Sequence, residues 1–423
     1  MTGARDPLRV KYSEATNGLR IARQTSPPGA ASISATYVGP AGWGFDPPSR
    51  GGLARLVNQL VTSAAGRHDR IALARLLDRA GATLTRQCAP ESAEVTIWGP
   101  VDEGELLLRL LADVVLRPRF DAEDVARVRR QALERQLREL TQPAARADRE
   151  LMGSLFPVGH PYRSTGTGDR RSLARIRPED LTAFHRGHYV GSEGLLVVTA
   201  PAGHREIERV VRREFSEISD ASPPVLDFPH ASLPRAAEHR VELRGHSQVE
   251  IRLGGSSIPR SAPEYPAAFL ANEVLGGRPL LSRLFQRVRE RGGLAYHATS
   301  ELEAMRFGGY WAAQAGTGPD RWSKVVPMLR SELRRLDSAE VPGRELDAIR
   351  ESAIGEIPLS LESTAEAHEL AIELAYHRLP EDYLIRWPAR LREVPPGEVR
   401  EAAAVALDGA RASLILVGPL NGR

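Results

Sequence analysis

Two stretches of this chain run through the same order of candidate elements, and such a duplication narrows the available folds more than any bulk property does. In the first, strand-like segments near 18–24 and 31–38 precede helical patterns near 50–65 and 70–80, then strands near 82–88 and 93–99. Amphipathic helices fill about 103–156, another lies near 178–188, and an apolar strand runs from Leu195 to Thr199. From residue 239 the order recurs: strands near 239–244 and 247–254, helices near 263–276 and 280–290, strands near 293–301 and 307–315. Helices then occupy about 320–407, and Ser413-Leu414-Ile415-Leu416-Val417 closes the second stretch as Leu195 to Thr199 closes the first. The second helix of each stretch runs into glycine, at Arg79-Ala80-Gly81-Ala82 and at Arg291-Gly292-Gly293-Leu294, as a left-handed helix cap requires.

Between the two lies Ser219-Asp220-Ala221-Ser222-Pro223-Pro224, continuing to Pro229 and Pro234. Proline resists helix and sheet interiors, so this segment is expected to be a linker. The expected organisation is a first domain over 1–218, a linker over 219–238 and a second domain over 239–423. Each is expected to be α+β, an antiparallel sheet with helices on one face.

Composition excludes several function classes. Hydrophobic residues at 42% and charged residues at 26% suit ordinary cored domains in a chain of 423 residues. The net charge is only +3, and apart from Lys11 and Lys324 the basic side is arginine. Acids and bases interleave, as in Glu134-Arg135-Gln136-Leu137-Arg138-Glu139, which reads as a solvated helix face rather than a nucleic-acid patch. Cys88 is the single cysteine, so neither an intramolecular disulfide nor a cysteine zinc knuckle can form. No apolar core of signal-peptide length follows Met1 to Asp6, and no apolar run reaches the ~18 residues of a membrane span. The expected setting is cytoplasmic, with no membrane and no nucleic-acid partner.

Several short runs carry a resemblance. They are Asn17-Gly18-Leu19-Arg20, Gly52-Leu53-Ala54, Phe184-His185-Arg186-Gly187-His188-Tyr189 and, most specifically, the run from Ser282 through Arg291-Gly292-Gly293-Leu294-Ala295-Tyr296. With the duplicated plan, nearly the whole chain resembles the pitrilysin/insulinase superfamily, in its processing-peptidase branch of half-size subunits. Peptide-cutting members carry an inverted zinc motif, His-x-x-Glu-His, after Gly-Leu-Ala. On a helix, positions i and i+4 share a face, so two imidazoles bind one zinc while the Glu at i+3 serves as general base.

Here every functional position of that motif is replaced. Arg55 and Gln59 stand where the histidines would be, Asn58 where the base would be, and Arg135 where a later helix would supply the third ligand. Arginine offers donors only and cannot ligate a cation. No metal or other cofactor is therefore expected in this chain. Of the remaining histidines, His185 and His188 read as structural, His368 as part of a solvated helix face, and His160-Pro161-Tyr162 as a turn. Gly316-Thr317-Gly318-Pro319 lacks the lysine of a phosphate loop and reads as a strand-to-helix turn.

The resemblance leaves one constellation intact. In the family an Arg and a Tyr seven apart in the second half assist catalysis at a zinc carried by another half or subunit. Here they map onto Arg289 and Tyr296. Donors converging on one point suit a substrate carbonyl that becomes an oxyanion. The resemblance thus implies the non-catalytic subunit of a heterodimeric zinc endopeptidase. Its homologous partner, in a 1:1 complex, would hold zinc and His-x-x-Glu-His, and the pair would cleave unfolded peptides. The alternative expectation is an inactive scaffold homologue with no role in proteolysis.

Overall fold

The computed structural model describes residues 7–202, 206–228 and 236–420. Its strands form two sheets. The first contains β1 (Val10–Glu14), β2 (Arg20–Thr25), β3 (Ser32–Gly39), β4 (Thr83–Cys88), β5 (Ala93–Pro100) and β6 (Leu195–Ala200), in the order β1-β2-β6-β3-β5-β4. The second contains β7 (Glu238–Glu242), β8 (Val249–Ser257), β9 (Ala295–Ala304), β10 (Gly309–Thr317) and β11 (Ser413–Gly418), in the order β7-β11-β8-β10-β9.

With β1 set aside, the two orders match element for element, so the duplication in the sequence is a duplication of topology. The fold is α+β with two homologous halves. One pair in each sheet, β2 with β6 and β7 with β11, is parallel, and the other pairs are antiparallel. The parallel pair arises because β6 and β11 each enter the sheet after a long helical excursion, as a parallel crossover needs.

The chain folds into two compact units. The first takes the chain up to Gln136 with Ser164–Phe228 and Ile357–Ile385; the second takes Leu137–Arg163, the chain up to Glu356, and Arg386 onward. The two sequence halves thus exchange helical segments. In the second unit, helix α5 (Pro143–Leu155) lies against β8 and β11. Its Asp148 accepts a hydrogen bond from Arg252 Nε on β8 at 2.7 Å. In the first unit, the helix Thr364–Tyr376 lies against β2, β3 and β6.

That exchanged helix corrects one sequence expectation. His368 is not on a solvated face; it is 1% exposed and bridges two strands, with Nε2 2.8 Å from Thr36 Oγ1 and Nδ1 2.9 Å from Thr199 Oγ1. Thr36 and Thr199 lie on the sheet face that also carries Ser34 and Thr96, and a neutral imidazole serves one as donor and the other as acceptor. Burial pushes the His368 pKa down to about 3.

The opposite face of the first sheet holds the main core. Ile33, Ala35 and Tyr37 of β3 and Val95 and Ile97 of β5 are buried with α1 (Leu53–Val61) and α3 (Gly104–Leu116). Between these helices in chain order comes α2 (Arg70–Arg79), capped by Asp69 accepting from Ala72 N at 2.8 Å. The long helix α4 (Ala122–Thr141) follows α3, buries Val128 and Ala132, and turns a charged face outward. His185 and His188 are buried ring-stacking residues, as expected: Nε2 of His185 lies 2.8 Å from Val115 O and Nδ1 of His188 lies 2.9 Å from Phe184 O.

Residues 219–228 carry no regular structure, while Pro229 and Pro234 of the expected linker, like Met1 to Asp6, lie outside the described residues. No helix among the described residues is long and apolar enough to cross a membrane.

Candidate functional site

The first unit contains the replaced metal motif. Helix α1 starts on Gly52, whose φ of 95° is left-handed and whose Cβ would meet Leu173 Cδ2 at 2.8 Å. Glycine is the residue that satisfies both demands. The Asp46 carboxylate accepts from the backbone N–H of Gly52 at 2.6 Å and of Ala54 at 2.8 Å, which fixes the helix start. Burial pushes its pKa up to about 7, partly offset by those N–H donors and by the Arg55 charge.

From that start, the four replaced positions separate. Arg55 lies with its guanidinium 4.3 Å from the centre of the Trp43 ring and donates Nε to Thr165 O at 3.1 Å. Asn58 turns to the sheet, donating to Glu94 O at 3.1 Å and to the Tyr189 hydroxyl at 3.4 Å. Gln59 faces α4 and donates its amide to the side-chain oxygen of Gln131, one turn before Arg135. Arg135 is half-buried and makes no side-chain hydrogen bond or ion pair among the described residues. Its charge reaches Cys88 and Arg86 on β4.

These donors do not fit a zinc ion. Two guanidiniums present N–H groups, the Asn58 amide is spent on a carbonyl and a phenol, and the Gln59 amide is spent on Gln131. Cys88 offers no thiolate, because burial pushes its pKa up to about 12. Among the described residues no group of three or more His, Cys, Asp or Glu side chains is placed to hold a metal.

The second unit contains the Arg/Tyr pair. Where the sequence suggested an α-helix near 280–290, residues Phe285–Glu290 wind as a π-helix, and Glu273–Gly277 do the same at the end of the preceding helix Tyr265–Asn272. Such turns are rare and cluster at functional sites. Arg289 lies in this wide turn, exposed, with its guanidinium 5.0 Å from the centre of the Phe285 ring. The turn ends as the glycines demand. Gly293, with φ of 57°, donates N–H to Arg289 O at 3.0 Å, and a Cβ on Gly292 would meet Arg287 O at 2.7 Å.

Tyr296 is the second residue of β9, the edge strand of its sheet, and is 63% exposed. Neither Arg289 nor Tyr296 makes a side-chain hydrogen bond among the described residues. Sequence reasoning missed their neighbour His297, whose Nε2 lies 3.7 Å from Glu250 Oε2. Glu250 in turn accepts from Arg252 Nη1 at 2.9 Å. Burial holds the His297 pKa below its usual value against the pull of Glu250, with the Arg252 and Arg289 charges adding to the depression. Gly316 faces this group across the sheet, and a Cβ there would meet His297 Cε1 at 2.4 Å. The signal was present in the sequence, a His one residue from the Tyr, but its acid lies on a strand far away in the chain.

Comparison with known proteins finds similarity to members of the M16 peptidase family. Residues 175–353 match the family described as the peptidase M16 inactive domain. The chain is 25% identical over 358 residues to an uncharacterized zinc protease of Mycobacterium leprae, covering 82% of this chain and 78% of that one. It is 18% identical over 314 residues to the mitochondrial-processing peptidase subunit beta of Lentinula edodes, covering 71% and 67%. A crystal structure of a peptidase M16 inactive domain from Pseudomonas fluorescens shares the fold, with a TM-score of 0.90 at 23% identity over 98% of each chain.

Proposed function

We propose that the chain is a member of the M16, or pitrilysin/insulinase, peptidase family and serves as the non-catalytic subunit of a heterodimeric zinc endopeptidase. The observation that carries this reading is the state of Arg289 and Tyr296: an exposed guanidinium and an exposed phenol without hydrogen-bond partners of their own. A surface arginine and tyrosine kept only for stability would be expected to spend those donors on neighbouring acids or carbonyls, as Arg283 does on Glu345 at 2.7 and 3.0 Å.

In this reading a homologous partner with His-x-x-Glu-His brings the zinc and the general base. This chain receives part of an unfolded peptide and directs Arg289 and Tyr296 at the scissile carbonyl oxygen. The guanidinium supplies a cationic donor and the phenol a neutral one. Both strengthen as the oxygen gains negative charge, so they lower the barrier more than they tighten ground-state binding. Edge strand β9 offers unpaired backbone groups beside them, which recognise a peptide by its main chain.

Co-expression with a zinc-bearing homologue tests the proposal. The expected result is a 1:1 complex whose peptidase activity is abolished by a chelator and exceeds that of either chain alone. Full activity of the zinc-bearing chain by itself, unchanged by this chain, would favour an inactive scaffold.

A further inference from the structure

The replaced metal position is more than a loss of ligands. Three elements of the first unit bring arginines to one place: Arg55 from α1, Arg86 from β4, and Arg127 and Arg135 from α4. Two are held by hydroxyls at the end of α1. Thr62 Oγ1 donates to Gln59 O and accepts from Arg86 Nη1 at 3.1 Å. Ser63 Oγ donates to the same carbonyl and accepts from Arg127 Nη2 at 3.1 Å. The Gln59 to Gln131 hydrogen bond ties α1 to α4 beside them.

Acids do not balance this group. Asp124 is shared between Arg127 at 2.7 Å and Arg70 at 3.4 Å. Asp46 is engaged with the start of α1. Neither Arg86 nor Arg135 has an ion pair among the described residues, although Arg86 is accessible to solvent and Arg135 half so. Partial burial, then the charges of Arg135 and Arg127, holds the Arg86 pKa below its usual value. Arg86 and Arg135, gathered beside Arg127 without an ion pair of their own among the described residues, destabilise the folded state unless an anion completes them.

We propose that this position is an oxyanion site, in which Arg86 and Arg135 take a carboxylate or phosphate group between them, with Arg127 and Arg55 flanking. Guanidinium forks match both groups in planar, paired hydrogen bonds, which ammonium groups do not. The nearby face of β4 is an edge, so the carboxylate of an acidic side chain on an extended peptide can reach the site as readily as a free ion. The site takes its ligand where peptide-cutting relatives hold a metal, and reverses the sign of the charge it selects.

The isolated chain suffices for the test, so its result stands apart from whether a partner subunit exists. Isothermal titration is carried out with inorganic phosphate and with two end-blocked octapeptides that differ only in a central Glu or Gln. Binding of phosphate, of the Glu peptide, or of both is expected, weakened by salt, with the Gln peptide bound at least about tenfold less well. Phosphate alone identifies a free oxyanion as the ligand, and the Glu peptide alone identifies a peptide carboxylate. Arg86→Gln and Arg135→Gln, made separately and each checked for native thermal unfolding, should each weaken binding about tenfold or more, while Arg291→Gln in the second unit should not. Absence of binding by both probes to the wild-type chain overturns the proposal. So does unchanged binding by the two folded variants.

Discussion

Gln59 on α1 donates its side-chain amide to the side-chain oxygen of Gln131 on α4, joining the two helices by a neutral hydrogen bond. Gln59 is 9% exposed, so its amide has little water to fall back on. Removing one partner leaves a polar group unsatisfied, whereas replacing both by apolar side chains does not. Gln131→Ala should therefore cost about 1–3 kcal/mol in urea unfolding, and Gln59→Leu with Gln131→Leu should cost less than the single change. A single variant as stable as wild type would mean that the pair contributes nothing to holding the helices together.

The same replacement predicts that the isolated chain binds no stoichiometric zinc and cleaves no peptide. Elemental analysis of chain purified without a partner checks the first, and a chelator-controlled peptidase assay checks the second. One zinc per chain would show that other donors hold a metal.

How much of this was legible in the sequence depends on the range of the contact. The duplicated strand order was legible because alternating apolar strands and the glycine stops at Gly81 and Gly292-Gly293 are local signals. The exchange of α5 and of the helix Thr364–Tyr376 was not, because amphipathic periodicity marks an apolar face without saying which sheet it covers. His368 illustrates the cost. Flanked by Glu366 and Glu369, it looks solvated in one dimension, while its partners Thr36 and Thr199 lie 332 and 169 residues away. The replacement of metal ligands at Arg55, Asn58, Gln59 and Arg135 is what the resemblance implies once its motif is laid over the residues after Gly52-Leu53-Ala54. The gathering of Arg86 with Arg127 and Arg135 could not be read from the sequence, since β4 and α4 meet only in the folded unit.

Buried histidines give the first unit a defined pH dependence. Burial holds His368 at about 3 and His185 at about 4, whereas in the unfolded chain each titrates near 6.5. Below ~6.5 the unfolded state therefore binds more protons, and the contribution of these groups, complete above that pH, is lost as pH falls toward the folded values. Asp46 and Glu94 act in the opposite sense, because burial pushes both up to about 7 and the folded state then holds the extra protons. The difference between wild type and His368→Gln isolates the histidine. From pH 7 to pH 5 the wild type should lose up to ~2 kcal/mol more stability than the variant, at 1.36 kcal/mol per unit of pH below 6.5. Parallel losses would place His368 in contact with water.

Arg287, two residues before Arg289, is a poor control for the Arg/Tyr pair. Its guanidinium pairs with Glu332, which is 1% exposed, and among the described residues Arg335 is the other cation paired with that carboxylate, at 3.5 Å. Arg287→Ala should destabilise the chain by about 1–3 kcal/mol by leaving a buried charge short of a partner. Adding Glu332→Gln should recover part of the loss, and equal instability of single and double variants would show that Arg287 acts through packing. Arg291 is exposed and serves as the control instead.

The most direct measurement is the turnover of the reconstituted heterodimer carrying Arg289→Ala or Tyr296→Phe in this chain, against Arg291→Ala. Removing one preorganised donor from a developing oxyanion costs about 10²–10³ in rate, so kcat should fall by that order in both variants with KM little changed. Gel filtration should show each complex still assembled at 1:1, and Arg291→Ala should turn over as wild type does. Wild-type kcat in both assembled variants would contradict a composite active site and leave Arg289 and Tyr296 as surface residues without a part in the chemistry.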